Sequence, residues 1–296
     1  MCLVLTPSLF SRIGLRMMKF SVVMPNYNSA RFLDEAVRSV LSQTCPGIEV
    51  ELLVMDGGST DGSLAILDRY RDQIAKIVSE RDHGPASAIN KGLRLASGEM
   101  LAWLNADDRY QPGAFLRVAE TMERHPRKAL AFGHCPIVDE EGREIRVPIT
   151  RFKELFFSLS SRFTLQSLNY ISQPAMLFRR TAYEKAGGLR EDLRCAWDYD
   201  FILRLWRAGG GVHVPGPALA DFRWHSASLS GQGFVVQFQE ELDAAIADAG
   251  RFSPQVMIHR VVRRSIVTIY SLMARQRQRG ASRPRPPSRP DRHDPL

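Results

Sequence analysis

Cysteine is scarce in this chain: four among 296 residues, at positions 2, 45, 135 and 195, with no CxxC pair and no metal-ligand spacing. The scarcity excludes a disulfide framework and a thiolate metal centre, and it fits free thiols in a reducing cytoplasm. Long apolar runs are missing as well. No stretch of 18 apolar residues exists, so no membrane-spanning helix is expected. The opening 16 residues carry no basic region ahead of their apolar part, so no secretory signal is expected either. Glycine-rich phosphate loops are lacking too. The first β-like run is not followed by GxGxxG, and GxxxxGK followed by Ser or Thr occurs nowhere, which excludes the two commonest ways of cradling a phosphate on backbone N–H groups.

What charge there is lies unevenly. The formal net charge is +8, yet residues 275–296 hold seven Arg against two Asp, leaving the body only slightly basic. The basic pI taken alone suggests a non-catalytic nucleic-acid-binding protein; its confinement to a tail argues against that reading and for no nucleic-acid partner. With 44% hydrophobic and 24% charged residues, the remainder is ordinary for a globular protein.

From residue 19 to 110, β-rich runs alternate with helical periodicity. Residues 20–25 read as a strand stopped by Pro25, and Asn28 or Ser29 can cap the helix that carries Phe32, Leu33, Ala36, Val40 and Leu41. A strand over 48–55 runs into Asp56-Gly57-Gly58-Ser59-Thr60-Asp61. A helix over 64–72, a strand over 74–78, a helix over 86–96 and a short apolar strand over 100–104 follow. The alternation predicts an α/β fold of parallel βαβ units. Their strand-to-helix loops emerge on one sheet edge, where open α/β sheets bind ligands. Residues 26–28, 56–61, 81–83 and 107–108 would share that edge.

Asp107 and Asp108 end the fourth strand. Adjacent carboxylates repel unless a cation or a donor array offsets them. Hard oxygen ligands suit Mg²⁺ or Mn²⁺ bridging to substrate phosphates; the plainer alternative is a solvated acidic turn before the next helix. Asp56-Gly57-Gly58-Ser59 opens with an acid, which suits hydrogen bonds from a base or ribose better than phosphate.

Residues 21–28 (Ser-Val-Val-Met-Pro-Asn-Tyr-Asn), 54–62 and 103–108 together resemble the family 2 glycosyltransferases. The likeness extends to Asp82-His83-Gly84, Asn90-Lys91-Gly92, Ile171-Ser172-Gln173-Pro174 and Trp197-Asp198-Tyr199-Asp200, over roughly residues 19 to 230. It implies a GT-A fold, a Rossmann-like nucleotide-sugar-binding mixed sheet flanked by helices. It also implies an inverting transferase that moves a sugar from a nucleotide-diphosphate sugar to a carbohydrate or lipid-linked hydroxyl acceptor, in cell-envelope or exopolysaccharide synthesis. By the same resemblance Pro25, Tyr27, Asn28, Asp56, Asp82, Lys91 and Asp107 line the nucleotide-sugar site, with Asp56 on the base and Asp82 near base or ribose. Asp107 and Asp108 would hold a divalent metal, Mn²⁺ or Mg²⁺, with His225 as a further ligand, a donor to the diphosphate or a structural residue. The family's acidic motif is often Asp-x-Asp, and Asn105 stands at its first position here, which leaves the metal to the two aspartates.

Asp198 is the general base at the acceptor hydroxyl by that resemblance; from spacing alone, Asp198 and Asp200 fit acids favoured at a helix N-terminus. Arg223 either neutralises the diphosphate or makes a surface ion pair. A rival enzyme, a sugar nucleotidyltransferase, would carry a Gly/Arg-rich loop after the first strand, and Pro25-Asn26-Tyr27-Asn28 is not one.

The expected organisation is an N-terminal extension (1–18), a catalytic domain (19–235), a C-terminal helical segment (236–275) and a disordered basic tail (276–296). Residues 129–134 and 144–147 read as a hairpin turning at 139–143, residues 152–159 as core or a packed helix, and Thr181 as the cap of a helix over 182–186. The apolar, Arg-interrupted stretch 254–275 either packs on the catalytic domain or contacts an anionic membrane surface peripherally at the inner face of the plasma membrane.

Overall fold

A computed structural model describes residues 16–225 and 234–281. Most of the N-terminal extension, the end of the family-like stretch at 226–230 and the tail beyond Ala281 lie outside the described residues. The first half is the expected alternation: β1 (Met18–Asn26), α1 (Ala30–Leu41), β2 (Ile48–Asp56), α2 (Ser63–Asp68), β3 (Lys76–Ser79), α3 (Pro85–Leu95), β4 (Met100–Trp103), β5 (Arg109–Tyr110) and α4 (Ala114–Arg124). The second half runs β6 (Leu130–Phe132), β7 (Ile137–Val138), β8 (Glu144–Ile145), α5 (Val147–Glu154), α6 (Arg162–Ser167), β9 (Met176–Arg179), α7 (Arg180–Ala186), α8 (Trp197–Gly209), β10 (Gly211–His213), β11 (Ala220–Arg223), α9 (Phe234–Ala249) and α10 (Pro254–Ala281).

Seven strands form the main sheet in the order β10-β6-β9-β4-β1-β2-β3, parallel except for β9, which runs antiparallel between β4 and β6. A smaller sheet, β5-β11-β7-β8, stands beside it. The two-residue period of the strands builds a core on each face of the main sheet. Val23, Leu53, Met55, Leu101 and Trp103 pack with Ile89 and Leu93 of α3 and Phe201 and Leu205 of α8. Val22, Met24, Leu52, Val54, Met100 and Ala102 pack with Leu33, Val37 and Val40 of α1 and Phe115 and Val118 of α4. Leu242 and Ala245 of α9 and Val256 of α10 join the first of these cores, so the C-terminal helices cover α8 from outside.

Pro25 sits in a strand with neighbours on both sides. It is tolerated because Val23 turns its carbonyl toward β4 and bonds Leu104 N at 2.9 Å, where β4 leaves the sheet. Pro25, two residues on, faces the same, now vacated, side and leaves no ladder bond unmade. Gly92 answers to a close approach: a Cβ there would stand 2.4 Å from Val23 Cγ1, so only glycine lets α3 lie this near β1.

Several local expectations are corrected. Residues 129–134 do not form a hairpin with 144–147. β6 pairs with β9 and β10 in the main sheet, and the hairpin joins Ile137–Val138 to Glu144–Ile145. Cys135-Pro136 divides the two runs, and Pro148 in the first turn makes Val147 the start of a helix rather than the end of a strand. Thr181 lies inside α7, whose N-cap is Arg179. The third strand is Lys76–Ser79, because Ile74 belongs to the turn that its N–H closes on Tyr70 O. The last helix continues through 276–281, into the stretch expected as tail.

Candidate active site

The last residues of three neighbouring strands lie in register, Asn26 beside Asp56 and Asp56 beside Ser79. Asp56 is their hub. Its Oδ1 accepts from Asn26 Nδ2 (2.7 Å) and Ser59 Oγ (2.5 Å), and its Oδ2 from Ser79 Oγ (2.6 Å) and the backbone N–H groups of Ser59 (3.0 Å) and Gly58 (3.1 Å). Burial alone would push this carboxyl up; the hydrogen bonds from Ser59, Ser79 and Asn26 outweigh it and hold the group below its ordinary value. Asp56 is 2% exposed, so the residue expected at the base faces inward, with its acceptor sites serving the loop.

Asp61 ties the same loop to two helices. Its Oδ2 accepts from Ala30 N (2.8 Å) and its Oδ1 from Ser63 N (3.0 Å) and Ser63 Oγ (2.6 Å). It therefore caps α1 from a distant loop, in place of the Asn28 or Ser29 expected from the sequence. Asn28 instead staples the loops: its N–H donates to Ser59 Oγ (2.9 Å) and its Oδ1 accepts from Thr60 N (2.8 Å). The left-handed backbone of Asn28, φ 48°, turns the chain there.

Beyond this frame stands Tyr27, 65% exposed. A Cβ built on Gly57 would lie 3.4 Å from the Tyr27 ring and 2.9 Å from Asp82 Oδ2. Gly57 thus lets the Tyr27 ring and the Asp82 carboxylate both lie close against this turn, where a side chain would push them away. Asp82 Oδ1 accepts from Gly84 N at 2.9 Å, which fixes the carboxylate. Lys91, expected in the same site, is engaged by Glu80 just past β3.

At the end of β4, Asp107 and Asp108 diverge. Asp107 Oδ2 lies 3.0 Å from His225 Nε2, just past β11. Asp108 points inward: Oδ1 accepts from Arg223 N (2.8 Å) and Oδ2 from Asn105 Nδ2 (3.1 Å). Burial, and secondarily the charge of Asp107, pushes the Asp108 carboxyl well above its ordinary value. The residue expected as a second ligand is therefore a buttress, and Asn105 holds it. Arg223, 2% exposed, makes an ion pair with the half-exposed Glu35, but from a buried position. It donates to Asp107 O (2.8 Å), Glu140 O (2.8 Å) and Glu35 Oε2 (2.6 Å), binding the acidic turn to α1 and the β7–β8 hairpin. Among the described residues no group of three or more His, Cys, Asp or Glu converges as a metal cage. The carboxylate–imidazole pair of Asp107 and His225 is the donor set present, and it fits a Mn²⁺ or Mg²⁺ whose other ligands come from substrate oxygens and water.

On the opposite side of the β4 end, α8 presents Asp198 in its first turn. Asp198 Oδ1 accepts from Tyr199 N at 2.7 Å, and burial pushes its carboxyl up to about 6 despite the nearby Lys153. Asp200 is tied to Arg204 one turn on, at 2.9 Å, as a helix-bracing acid. The N–H groups ahead of α8 are capped by Glu240 of α9, which accepts from Arg194 N, Cys195 N and Ala196 N at 2.8–2.9 Å. Gln173, from the family-like Gln-Pro pair, donates to Trp103 O at 2.9 Å and so ties the start of β9 to the end of β4. Sequence reasoning missed Asp61, Glu240 and the fixed role of Arg223, since each works through a partner remote along the chain.

A family model described as Glycosyl transferase family 2 matches residues 21–187. An uncharacterised glycosyltransferase of Nostoc is 32% identical over 71% of this chain and 66% of its own length. A poly(ribitol-phosphate) beta-N-acetylglucosaminyltransferase of Staphylococcus aureus is 30% identical over 67% of this chain, which spans only 34% of that enzyme. The solved structure of the staphylococcal enzyme's residues 1–349 with UDP-GlcNAc superposes with a TM-score of 0.62 at 20% identity, covering 80% of this chain and 68% of that one. A mannosyltransferase of Pyrobaculum calidifontis in complex with GDP-Man and Mn²⁺ gives 0.61 at 18% identity, covering 83% and 69%. The fold is thus the GT-A type that the resemblance implied.

Proposed function

The chain belongs to glycosyl transferase family 2, and from that premise we propose that this glycosyltransferase moves a sugar from a nucleoside-diphosphate sugar to a hydroxyl acceptor with inversion at the anomeric carbon. The observation that carries the reading is the Asp107–His225 pair, 3.0 Å apart, on the strand edge that also holds Tyr27 and Asp82. Tyr27 offers its face to the base, and Asp82 accepts hydrogen bonds from base or ribose. Asp107 and His225 would hold a divalent ion, while Asp108, Asn105 and Arg223 fix the turn that carries Asp107. A bound Mn²⁺ or Mg²⁺ neutralises diphosphate charge. Asp198 takes the acceptor proton as the hydroxyl oxygen attacks: the O–H bond breaks, the new glycosidic C–O bond forms, and the sugar–phosphate C–O bond breaks with its electron pair on the diphosphate. No covalent enzyme intermediate is formed.

The acceptor is a polymeric or lipid-linked hydroxyl of the envelope or exopolysaccharide type, a reading supported by the poly(ribitol-phosphate) in the staphylococcal relative's name. Turnover of UDP-GlcNAc and GDP-mannose with Mn²⁺, followed by proton NMR, tests the reaction. An inverted anomer, lost in Asp198→Asn, is expected; a retained anomer would overturn the mechanism.

Peripheral membrane contact has its own support. No described helix is long and apolar enough to cross a membrane. The 28-residue α10 contains six Arg and no acid, and Met257, Ile258 and Val261 are exposed on it. That composition suits an anionic surface. Co-sedimentation with phosphatidylglycerol vesicles but not with phosphatidylcholine ones is the expected result; equal behaviour with both would contradict it.

A further inference from the structure

Residues 152–159, expected as core or a packed helix, divide between core and solvent. Helical turns run past the end of α5, with Leu155 N bonded to Arg151 O at 3.2 Å and Leu159 N to Phe156 O at 3.1 Å. Phe156 and Phe157 pack against the core. Phe152, Leu155 and Leu159, spaced three and four residues apart, fall together on the outer side. They are 46%, 69% and 64% exposed, and Phe163, in the first turn of α6, is 48% exposed.

The corner between α5 and α6 is held firmly. Ser161 Oγ accepts from Thr164 N at 3.1 Å, and Thr164 Oγ1 donates to Leu159 O at 2.7 Å. One turn beyond Phe163, Gln166 fastens α6 to α10. Its Oε1 accepts from Gln255 Nε2, and its backbone O lies beside His259 Nδ1, both at 3.0 Å. The exposed apolar residues of the corner therefore belong to one packed unit with those of α10, Met257, Ile258 and Val261, and with the exposed Phe252 just before it. Charge of one sign accompanies them. Residues 146–168 hold four Lys or Arg against one acid, and residues 250–281 hold seven Arg against none. The one acid, Glu154, is paired with His134.

We propose that the α5–α6 corner is an insertion wedge for an anionic bilayer: Phe152, Leu155, Leu159 and Phe163 enter the headgroup boundary while basic residues of α5, α6 and α10 meet the lipid phosphates. The inference goes beyond α10 but rests on the peripheral contact proposed for it. Leu and Phe grouped in water are unfavourable for a free monomer and favourable at a lipid interface, where Lys and Arg nearby add attraction to anionic headgroups. Leucine at the two most exposed positions of the corner offers a sugar neither a flat ring nor a hydrogen bond.

The inner side of α5 carries Lys153, whose Nζ donates to Ser172 Oγ at 3.3 Å, and the next residue, Gln173, bonds Trp103 O at the end of β4. One helix diameter, about 10 Å, thus lies between the wedge and Ser172. That places a bilayer close to the strand edge of the proposed site, an arrangement suited to a hydroxyl carried on a membrane lipid.

The test is co-sedimentation of the full chain with phosphatidylglycerol vesicles, together with a fluorescence reporter. Leu155→Asp combined with Leu159→Asp is expected to lower vesicle affinity about tenfold or more. Its melting temperature should not change, because both side chains already face water. Leu159→Trp, read as the difference from wild type, should shift its emission to the blue on vesicle addition and be quenched by brominated acyl chains. Wild-type affinity in the double Asp variant, or a Leu159→Trp emission untouched by brominated lipid, would overturn the wedge. If affinity still fell in Arg260→Glu with Arg264→Glu, the contact of α10 would stand without it; if the wild type ignored the vesicles, both would fall. A lipid-free dimer in sedimentation velocity, lost in the double Asp variant, would give the corner to a second copy and equally overturn the proposal.

Discussion

Replacing Asp56 decides whether this residue holds the loop or holds the ligand. Asp56→Ala removes an acceptor of five hydrogen bonds. Asn26 can flip its amide, and the hydroxyls of Ser59 and Ser79 can rotate toward other partners. The backbone N–H groups of Gly58 and Ser59 have no such freedom. Two half-buried donors left unpaired cost about 1–2 kcal/mol each, the lower part of the range for unpaired groups, so a loss of roughly 3 kcal/mol is expected, or about 9 °C in melting temperature for a domain of this size. Asp56→Asn should lose less, about 1–2 kcal/mol, because its oxygen can face the two N–H groups while its amide meets a flipped Asn26. The assay is urea unfolding of the protein without nucleotide. The sign with pH follows from the depressed carboxyl of the folded state: its contribution is complete above the unfolded value, about 3.9, and is lost as pH falls through the lower folded value. The gap between wild type and Asp56→Asn should therefore close in strong acid. If Asp56→Ala unfolded within about 0.5 kcal/mol of wild type yet lost nucleotide affinity, Asp56 would be a ligand contact and the reasoning would be wrong.

Two further outcomes follow from the same frame. Gly92→Ala gains about 1 kcal/mol of helix propensity but drives a methyl to 2.4 Å from Val23 Cγ1. Overpacking of about 1–3 kcal/mol should win, giving a net loss near 1 kcal/mol in urea unfolding that a Val23→Ala background reverses. Tyr27→Ala touches a 65% exposed ring and should leave stability within about 0.5 kcal/mol, while nucleotide affinity measured by calorimetry falls about tenfold or more.

The parallel half of the fold was legible because its strands are short, nearly continuous apolar runs, as buried parallel strands are, and each ends in a turn-forming stretch. Which residues of those runs face which core, Val22 and Met24 against Val23, and Leu52 and Val54 against Leu53 and Met55, is seen in the structure. The convergence of 26–28, 56–61, 81–83 and 107–108 on one edge followed from the strand–helix alternation. The mixed half was not legible in the same way. β6 could pair with any apolar strand, and only the three-dimensional arrangement puts it between β9 and β10.

The site divides likewise. Strand-end position and the family resemblance together marked Asp56, Asp82, Asp107 and Asp108, and the resemblance alone marked Asp198 as a base, but neither said which way each carboxylate turns. Asp56 and Asp108 face inward because donors more than 20 residues away along the chain, Asn26 and Arg223, await them. Asp61 capping α1 and Glu240 capping the approach to α8 are invisible to local capping rules for the same reason. The sequence marked 236–275 only as a helical segment, and did not show that Glu241 within it is buried.

The central claim is a nucleoside-diphosphate sugar held through a divalent ion at Asp107 and His225. Thermal melting of the full chain against UDP, GDP, CMP and dTDP, with and without Mn²⁺, tests it most directly, because a ligand that binds only the native state raises the melting temperature by mass action. The expected result is a rise for one nucleotide class that requires Mn²⁺ and disappears in both Asp107→Ala and His225→Ala. A rise that persists unchanged in both variants, or none with any nucleotide and metal, would contradict it.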